Sequence, residues 1–246
     1  LAASGLADDT IVVFTSDHGD LLGAHGGLQQ KWYNAFDEAI RVPLLVKGPG
    51  IVADPAGIHV PTSHVDLVPT LLGLAGIDVE RAAEGVAAHH SEVHPLPGRD
   101  LSGVLTGTLS AAEVAAPIYF MTDDDVSRGR DQANVLTGAP FDAVSPPSRV
   151  ESVIAELPTA ADGSTELWKL NHYFERLEDW EAAHGIPADP FAGPVAEPSW
   201  ELHNLSADPE ERHNLAGEGG VPLSTLQSLL VAERDAKRLV PRLRNP

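Results

Sequence analysis

Two adjacent side chains that can bind a metal ion, Asp17 and His18, follow an apolar stretch at residues 11–14. Four consecutive apolar residues before a polar, glycine-rich sequence are typical of a strand buried on both faces, as in a parallel sheet. Open α/β sheets place their chemistry at the carboxyl ends of such strands. A carboxylate and an imidazole side by side suit a divalent cation. Spacing alone also allows a simple turn that caps a helix.

A glycine-rich loop at residues 21–27 carries His25 and leads to Lys31. Glycines let the backbone approach a ligand closely or adopt unusual torsion angles. A lysine after such a loop can hold an anionic oxygen of a substrate or leaving group, and a histidine can donate a hydrogen bond or a proton. The residues alone equally allow a solvated lysine and a histidine that braces the loop.

Other polar groups are weaker candidates for a site. The acidic run at residues 123–125 is predicted to be a solvated loop, because like charges repel and stay hydrated. His89, His90 and His94 lie in a sequence that we predict to be an exposed loop at 78–99. No Gly-x-Ser-x-Gly motif is present, so a serine hydrolase is not favoured.

The composition limits the possible partners. The 246 residues include 36 acidic and 16 basic side chains, so the formal net charge is -20. The field of such a chain repels polyanions, which argues against nucleic acids and anionic membranes. The chain has no cysteine, which excludes disulfides and thiolate metal sites.

The N-terminus carries no targeting signal. No apolar run approaches the roughly 20 residues that span a bilayer, and residues 1–9 lack a signal-peptide pattern. Localisation is therefore unassigned. These first residues have the pattern of a helix end followed by a turn, so we expect the chain to begin inside a domain.

Hydrophobic patterning predicts an α/β part followed by a smaller α+β part. In the first part we expect buried strands at 42–46 and 117–121, a helix at 32–41, and a helix that Asp66 caps and Gly76 ends. For the rest of the chain the pattern predicts a long loop at 122–147 and three strands of an antiparallel sheet at 150–157, 165–173 and 200–205. It also predicts two helices, at 175–184 and 222–238.

Several stretches together resemble one family, the type I sulfatases of the alkaline-phosphatase-like superfamily. The resemblance begins with Phe-Thr-Ser-Asp-His-Gly-Asp-Leu-Leu-Gly-Ala-His-Gly and continues in order along the chain. The stretches that carry it are 14–26, Lys31, 38–44, 65–77, 97–107 and 201–216.

The resemblance implies a fold and a site. The fold would be an alkaline-phosphatase-like α/β sandwich, with residues 1–147 forming the C-terminal part of the catalytic domain and 148–246 an α+β subdomain with an antiparallel sheet. Asp17 and His18 match the second pair of metal ligands, and the metal is calcium in most members, magnesium or manganese in others. Lys31 matches the lysine that holds the sulfate or leaving-group oxygen, and His25 lines the site.

The sequence also departs from the family. The nucleophile motif Cys/Ser-x-Pro-x-Arg, whose first residue becomes formylglycine, is absent, and residues 145–149 resemble it only superficially. The first Asp-Asp ligand pair is absent as well. We therefore expect the C-terminal portion of an arylsulfatase-like sulfuric ester hydrolase, inactive alone, whose partners are a small sulfate ester and the N-terminal half of the same enzyme. The alternatives are a phosphodiester or phosphonate monoester hydrolase of the superfamily, and a non-catalytic binding module that keeps the fold.

Overall fold

The computed structural model describes residues 1–31, 33–53, 57–90, 93–123, 137–138, 149–158, 164–174 and 198–237. Its strands are β1 (Val12–Thr15), β2 (Leu44–Lys47), β3 (Ile118–Asp123), β4 (Arg149–Pro158), β5 (Thr165–Phe174) and β6 (Ser199–Asn204). Its α-helices are α1 (Ala24–Gly27), α2 (Asp37–Ile40), α3 (Leu67–Leu74), α4 (Val79–Ala87), α5 (Ser102–Leu105) and α6 (Val221–Lys237). Within these ranges, no helix is both long enough and apolar enough to cross a bilayer.

The chain packs into two compact units that are not contiguous in sequence. The first comprises Leu1–Asp17, Val42–Ile118 and the chain from Val231, and the second comprises His18–Arg41 and Tyr119–Leu230. The division at residue 147 that the sequence indicates stays a prediction. The predicted helix at 175–184 and most of the predicted loop at 122–147, including Asp124 and Asp125, lie outside the described residues.

In the first unit, β1 and β2 form an antiparallel pair with Val12 opposite Lys47 and Thr15 opposite Leu44. Both strands lie where the sequence predicts them. The prediction that they are buried on both faces in a parallel sheet is wrong. Phe14 is 60% exposed and Leu45 is 63% exposed. An apolar run predicts a strand, but it carries no information about which neighbours cover the strand.

The helices of the first unit confirm one prediction and correct two others. Helix α3 ends as expected, with Gly76 in the left-handed region at φ 68. Asp66 does not cap α3 with its side chain; instead it is buried and accepts hydrogen bonds from the backbone N–H of Ser63 (3.0 Å) and from Nη2 of Arg99 (2.7 Å). The predicted loop at 78–99 contains helix α4, whose start is capped by the Asp78 carboxylate.

The second unit contains a four-stranded sheet in the order β3-β4-β5-β6. Strand β5 runs antiparallel to both β4 and β6, so Leu170 lies opposite Val153 on one side and Leu202 on the other. The antiparallel sheet predicted for the second half of the chain is thereby confirmed, as is the helix predicted at 222–238.

This sheet has an apolar face and a polar face, because successive side chains of a strand point to opposite sides. The apolar face packs on α6: Val153, Leu170 and Leu202 of the sheet and Leu226 and Leu230 of the helix are fully buried. The opposite face carries buried polar side chains, among them Ser152, Lys169, Asn171 and His203. A buried face of this kind is stable only when its polar groups find partners.

Lys169 on the polar face is fully buried and has three polar partners. Its Nζ lies 2.8 Å from the Ala35 carbonyl oxygen, 2.8 Å from Oδ1 of Asp37 and 2.6 Å from Oε1 of Glu211. The contacts with Ala35 and Asp37 are hydrogen bonds and the contact with Glu211 is an ion pair, so two carboxylates balance the buried charge. Burial raises the pKa of Glu211, and the Lys169 charge opposes that shift. We call these residues the lysine cluster: Ala35, Asp37, Lys169 and Glu211.

We expect Lys169→Met to lower the free energy of unfolding by about 3–5 kcal/mol, because it leaves two carboxylates without their buried cation. The measurement is chemical denaturation of the 246-residue chain at neutral pH. The matched control, Lys47→Met, removes an exposed lysine and should change the free energy by no more than about 0.5 kcal/mol. Equal effects of the two substitutions would contradict a structural role for the cluster.

Candidate active site

Asp17 lies two residues beyond the end of β1 and is exposed. Its Oδ1 accepts a hydrogen bond from the Ser16 hydroxyl at 3.2 Å. The carbonyl oxygen of Ser16 in turn accepts a hydrogen bond from Nε2 of His64 at 2.8 Å. His64 therefore holds the backbone just before the candidate ligand.

The imidazole of His18 is oriented by its own backbone. Its Nδ1 lies 2.7 Å from the carbonyl oxygen of Gly19, which can only accept, so Nδ1 carries the proton. In the neutral ring Nε2 then holds the lone pair. Metal-binding histidines usually donate their other N–H to a carbonyl or carboxylate in this way, so His18 fits the role of a ligand through Nε2.

Asp17 and His18 are only part of a possible metal site. In the described part of the chain, no group of three or more His, Asp or Glu side chains is arranged to hold a metal ion. Calcium takes about six to eight oxygen ligands, and magnesium about six. Two donors of the expected chemistry are present, and the remaining ligands have to come from elsewhere.

Gly19 forms the contact between this motif and helix α2. Its N–H donates to the Ala39 carbonyl oxygen at 2.8 Å, and a Cβ at position 19 would overlap the carbonyl oxygen of Glu38. Glycine is therefore required here by close approach of two backbones.

We expect Gly19→Ala to destabilise the chain by about 1–3 kcal/mol, because the added methyl group has to displace helix α2. Gly85→Ala is the matched control: a Cβ at Gly85 in α4 meets nothing within 4 Å. Replacing a helical glycine by alanine should stabilise by up to about 1 kcal/mol. The two free energies of unfolding should change in opposite directions, and a shift of the same sign would contradict the packing at Gly19.

His25 lies in the single turn α1 with φ 49, in the left-handed region that non-glycine residues rarely adopt. Its Nε2 lies 3.0 Å from Oε2 of Glu38, and its side chain is 12% exposed. Its ring stacks on Phe36 with the centroids 3.7 Å apart and the planes 11° from parallel. His25 is thus held on one face and at one edge.

Lys31 lies half-buried in the loop between α1 and α2. The helix predicted at 32–41 is wrong at residues 33–36, because among the described residues 33–41 the helix comprises Asp37–Ile40. The side chain of Asn34 accepts from the N–H of Phe36 at 3.2 Å, and this local turn competes with a helix. Lys31, His25 and His18 all belong to the second unit.

Three consecutive residues at the start of α2 connect His25 to the sheet. Phe36 stacks on its ring and Glu38 accepts from its Nε2. Between them, Asp37 binds Lys169 through Oδ1 and donates its backbone N–H to Oε2 of Glu211 at 2.6 Å. Sequence reasoning missed Glu38 and the lysine cluster. Two features of the sequence could have indicated them. Lys169 is a charged residue in the middle of the predicted strand at 165–173, and Glu38 lies inside the 38–44 motif.

A second polar cluster surrounds the Glu201 carboxylate on the polar face. Oε2 of Glu201 accepts from Nδ2 of Asn171 (3.2 Å) and from the hydroxyl of Tyr173 (2.8 Å), and Nε2 of His203 lies 3.8 Å away. Burial acts to raise the pKa of Glu201, but the neighbouring His203, Tyr173 and Asn171 outweigh it, so the pKa is lowered. Burial and the charge of Glu201 raise the pKa of Tyr173.

This lowered pKa predicts a pH-dependent stability. Because the folded pKa of Glu201 lies below its ordinary value of 4.5, ionised Glu201 stabilises the fold. That contribution is complete above the ordinary value and is lost as the pH falls through the folded one. Glu201→Gln should therefore be less stable than the wild type by roughly 1–2 kcal/mol at neutral pH, and the difference should shrink in acid.

Denaturation curves of both proteins at several pH values measure this difference. Glu84→Gln, which removes an exposed carboxylate on α4, is the control and should lie within about 0.5 kcal/mol of the wild type at neutral pH. A Glu201→Gln difference that persists undiminished into strong acid would contradict the lowered pKa.

Comparison with known proteins shows that the first third of the chain is similar to sulfatases. The sequence profile of the family "Sulfatase" matches residues 1–77. A choline-sulfatase from Rhizobium meliloti is 46% identical over 83 residues, which are 32% of this chain and 15% of that protein. A multifunctional alkaline phosphatase superfamily protein from Trinickia caryophylli is 40% identical over 86 residues, or 35% of this chain and 16% of that protein.

The fold also agrees with a solved structure. A proposed sulfatase from Bacteroides fragilis matches 96% of this chain and 38% of its own length with a TM-score of 0.56, at 19% sequence identity. The chain therefore has the fold of the corresponding part of that protein, an α/β architecture of the alkaline-phosphatase type. The aligned segments of the chain span less than a fifth of the length of the choline-sulfatase and of the Trinickia caryophylli protein.

The structural match shows that the chain has an α/β fold of the kind seen in that solved structure. Residues 1–77 are similar to the sulfatase family, in line with the motifs in the sequence.

Proposed function

We propose that this chain supplies part of the active site of a sulfuric ester hydrolase that uses a divalent metal ion, most simply calcium. The observation that carries the proposal is the His18 ring, whose Nδ1–H bond to the Gly19 carbonyl places the lone pair of the neutral ring on Nε2, as in a histidine ligand. Asp17, the preceding residue in the sequence, supplies a carboxylate. When bound, a hard cation would offset the negative charge of the sulfate oxygens.

Lys31 and His25 have complementary roles in this proposal. The ammonium group of Lys31 holds an anionic oxygen of the substrate, which would otherwise be repelled by a chain of net charge -20. His25 is the general acid that protonates the oxygen of the leaving alcohol. The substrate is a small sulfate ester.

The rest of the site belongs, in this proposal, to residues outside these 246. Two ligands are too few for calcium, and the chain contains no cysteine that could become the formylglycine nucleophile. The matched segments of the two curated relatives are 15% and 16% of their lengths, so most of such a protein has no counterpart here. The partner that completes the site is the N-terminal half of the same enzyme.

The test uses the full-length protein that contains this chain. We expect it to hydrolyse 4-nitrophenyl sulfate in the presence of calcium. Asp17→Ala and Lys31→Ala should each lower kcat/KM at least about 100-fold, because both act on charge that develops in the transition state. Lys47→Ala, an exposed lysine on β2, is the control and should retain wild-type activity.

The 246-residue chain alone provides the complementary measurement. It should show no turnover above that of its Lys31→Ala variant, and calcium titration should give a Kd no tighter than about 10⁻³ M, because two ligands form a poor site. Turnover by the chain alone would contradict the proposal that residues outside it are needed. A full-length protein without turnover or metal binding would favour a non-catalytic module.

The second candidate function is hydrolysis of a phosphodiester or phosphonate monoester. It is favoured by the 40% identity to a relative described as a multifunctional alkaline phosphatase superfamily protein. Parallel assays with 4-nitrophenyl sulfate and bis(4-nitrophenyl) phosphate separate the two candidates. A kcat/KM that is higher for the phosphodiester would replace the sulfatase proposal by this one.

A further inference from the structure

We propose that Glu38 is the positioning residue of His25, and that it makes Nδ1 the ring nitrogen that serves the leaving oxygen. This rests on the proposed role of His25 in sulfate-ester hydrolysis. Glu38 was not among the residues that the sequence singled out as a site.

The bond between His25 and Glu38 defines the role of each ring nitrogen. Oε2 of Glu38 lies 3.0 Å from Nε2, and an ionised carboxylate can only accept, so Nε2 carries a proton. In the described part of the chain, Nδ1 of His25 has no hydrogen-bond partner. Nδ1 is therefore the nitrogen available for exchange of a proton with a substrate.

Phe36 restricts the ring further. It covers one face of the imidazole at a centroid distance of 3.7 Å and nearly parallel, so the ring cannot rotate without losing this stack. With one face covered and Nε2 bound, only the edge that carries Nδ1 and the opposite face remain. The side chain of His25 is 12% exposed, which allows access but not free motion.

Glu38 can position another residue because its own backbone is fixed. The preceding residue, Asp37, is bound through its side chain to Lys169 and through its N–H to Glu211. The following residue, Ala39, accepts a hydrogen bond from the N–H of Gly19. Glu38 thus lies between two anchored neighbours, although its side chain is 36% exposed.

The proton transfer follows from this arrangement. A nucleophile from the part of the enzyme outside these 246 residues forms a bond to sulfur as the S–O ester bond breaks. The electron pair of the broken bond goes to the alcohol oxygen, and the proton on Nδ1 of the imidazolium transfers to that oxygen. The product imidazole is neutral and keeps its proton on Nε2, still bound to Glu38. The carboxylate stabilises the imidazolium before transfer and fixes the ring orientation during it, as carboxylates do beside other catalytic histidines.

The first experiment observes the imidazole directly by NMR in the 246-residue chain. The Nε2–H proton of His25 should be visible and slow to exchange with water in the wild type and lost in Glu38→Ala. Glu38→Gln keeps a neutral acceptor and should retain the resonance with a smaller downfield shift. Glu84→Ala, an exposed carboxylate on α4, is the control and should leave the resonance unchanged.

The second experiment measures kinetics of the full-length enzyme with two kinds of sulfate ester. An alkyl sulfate has a poor leaving group that needs a proton, whereas 4-nitrophenolate leaves without one. Glu38→Ala should lower kcat for the alkyl ester about 10–100-fold, with KM nearly unchanged and a much smaller loss for the 4-nitrophenyl ester. Glu38→Gln should recover part of the lost kcat. A merely structural role of Glu38 would lower the activity on both esters alike.

The outcomes separate this inference from the proposed function. An active sulfatase in which Glu38→Ala affects both esters equally, or an Nε2–H resonance that survives Glu38→Ala, would overturn the positioning role alone. A full-length protein that hydrolyses no sulfate ester would overturn the proposed function, while the NMR result would still report whether Glu38 holds His25. Thermal unfolding midpoints of each variant close to the wild type would show that the chain stays folded.

Discussion

The ion pairs of Lys169 are the interaction on which the second unit depends. A fully buried ammonium group is tolerated only if its charge is balanced and each N–H has an acceptor. Here the partners are three residues in two segments: Ala35 and Asp37 at the start of α2, and Glu211 after β6. Because neither segment provides all the partners, both have to meet at β5. The position of α2 is thereby set by these polar contacts together with the apolar cluster that Ala35 and Ile40 join.

The candidate site inherits its geometry from that position. Helix α2 has only four residues, too few for stability of its own. The lysine cluster holds helix α2, and the residues of α2 then orient their neighbours. Glu38 accepts a hydrogen bond from Nε2 of His25, and the carbonyls of Glu38 and Ala39 lie against Gly19. The requirement for glycine at position 19 and the contact of Glu38 with His25 thus both follow from the fixed position of α2. The polar face of the sheet, whose buried polar groups would be destabilising without partners, holds α2 in that position.

The sequence predicts which segments form strands and helices better than it predicts their burial and their contacts with distant residues. Strands β4, β5 and β6 and helix α6 follow from alternation and helical spacing. The similarity of residues 1–77 to sulfatases follows from motifs that occur in order. The burial of β1, the helix at 32–41 and the loop at 78–99 were mispredicted, because periodicity does not report which faces become covered or where a local turn competes with a helix. Glu38 and the lysine cluster depend on contacts between residues far apart in the chain, which no local pattern encodes. The metal and catalytic roles of Asp17, His18, His25 and Lys31 remain predictions.

The lysine cluster also sets the order in which the chain can acquire its final form. Asp37 is 132 residues from Lys169 and 174 residues from Glu211. On a ribosome, the segment that carries His25 and Glu38 emerges before β5, so it lacks its counter-ion until β5 has formed. It also lacks the second acid until the turn at Glu211 is complete. Contacts of such long separation form late, because the intervening chain has to be ordered first. The candidate site is therefore among the last regions to become rigid during synthesis, although its residues are made well before the partners that anchor them.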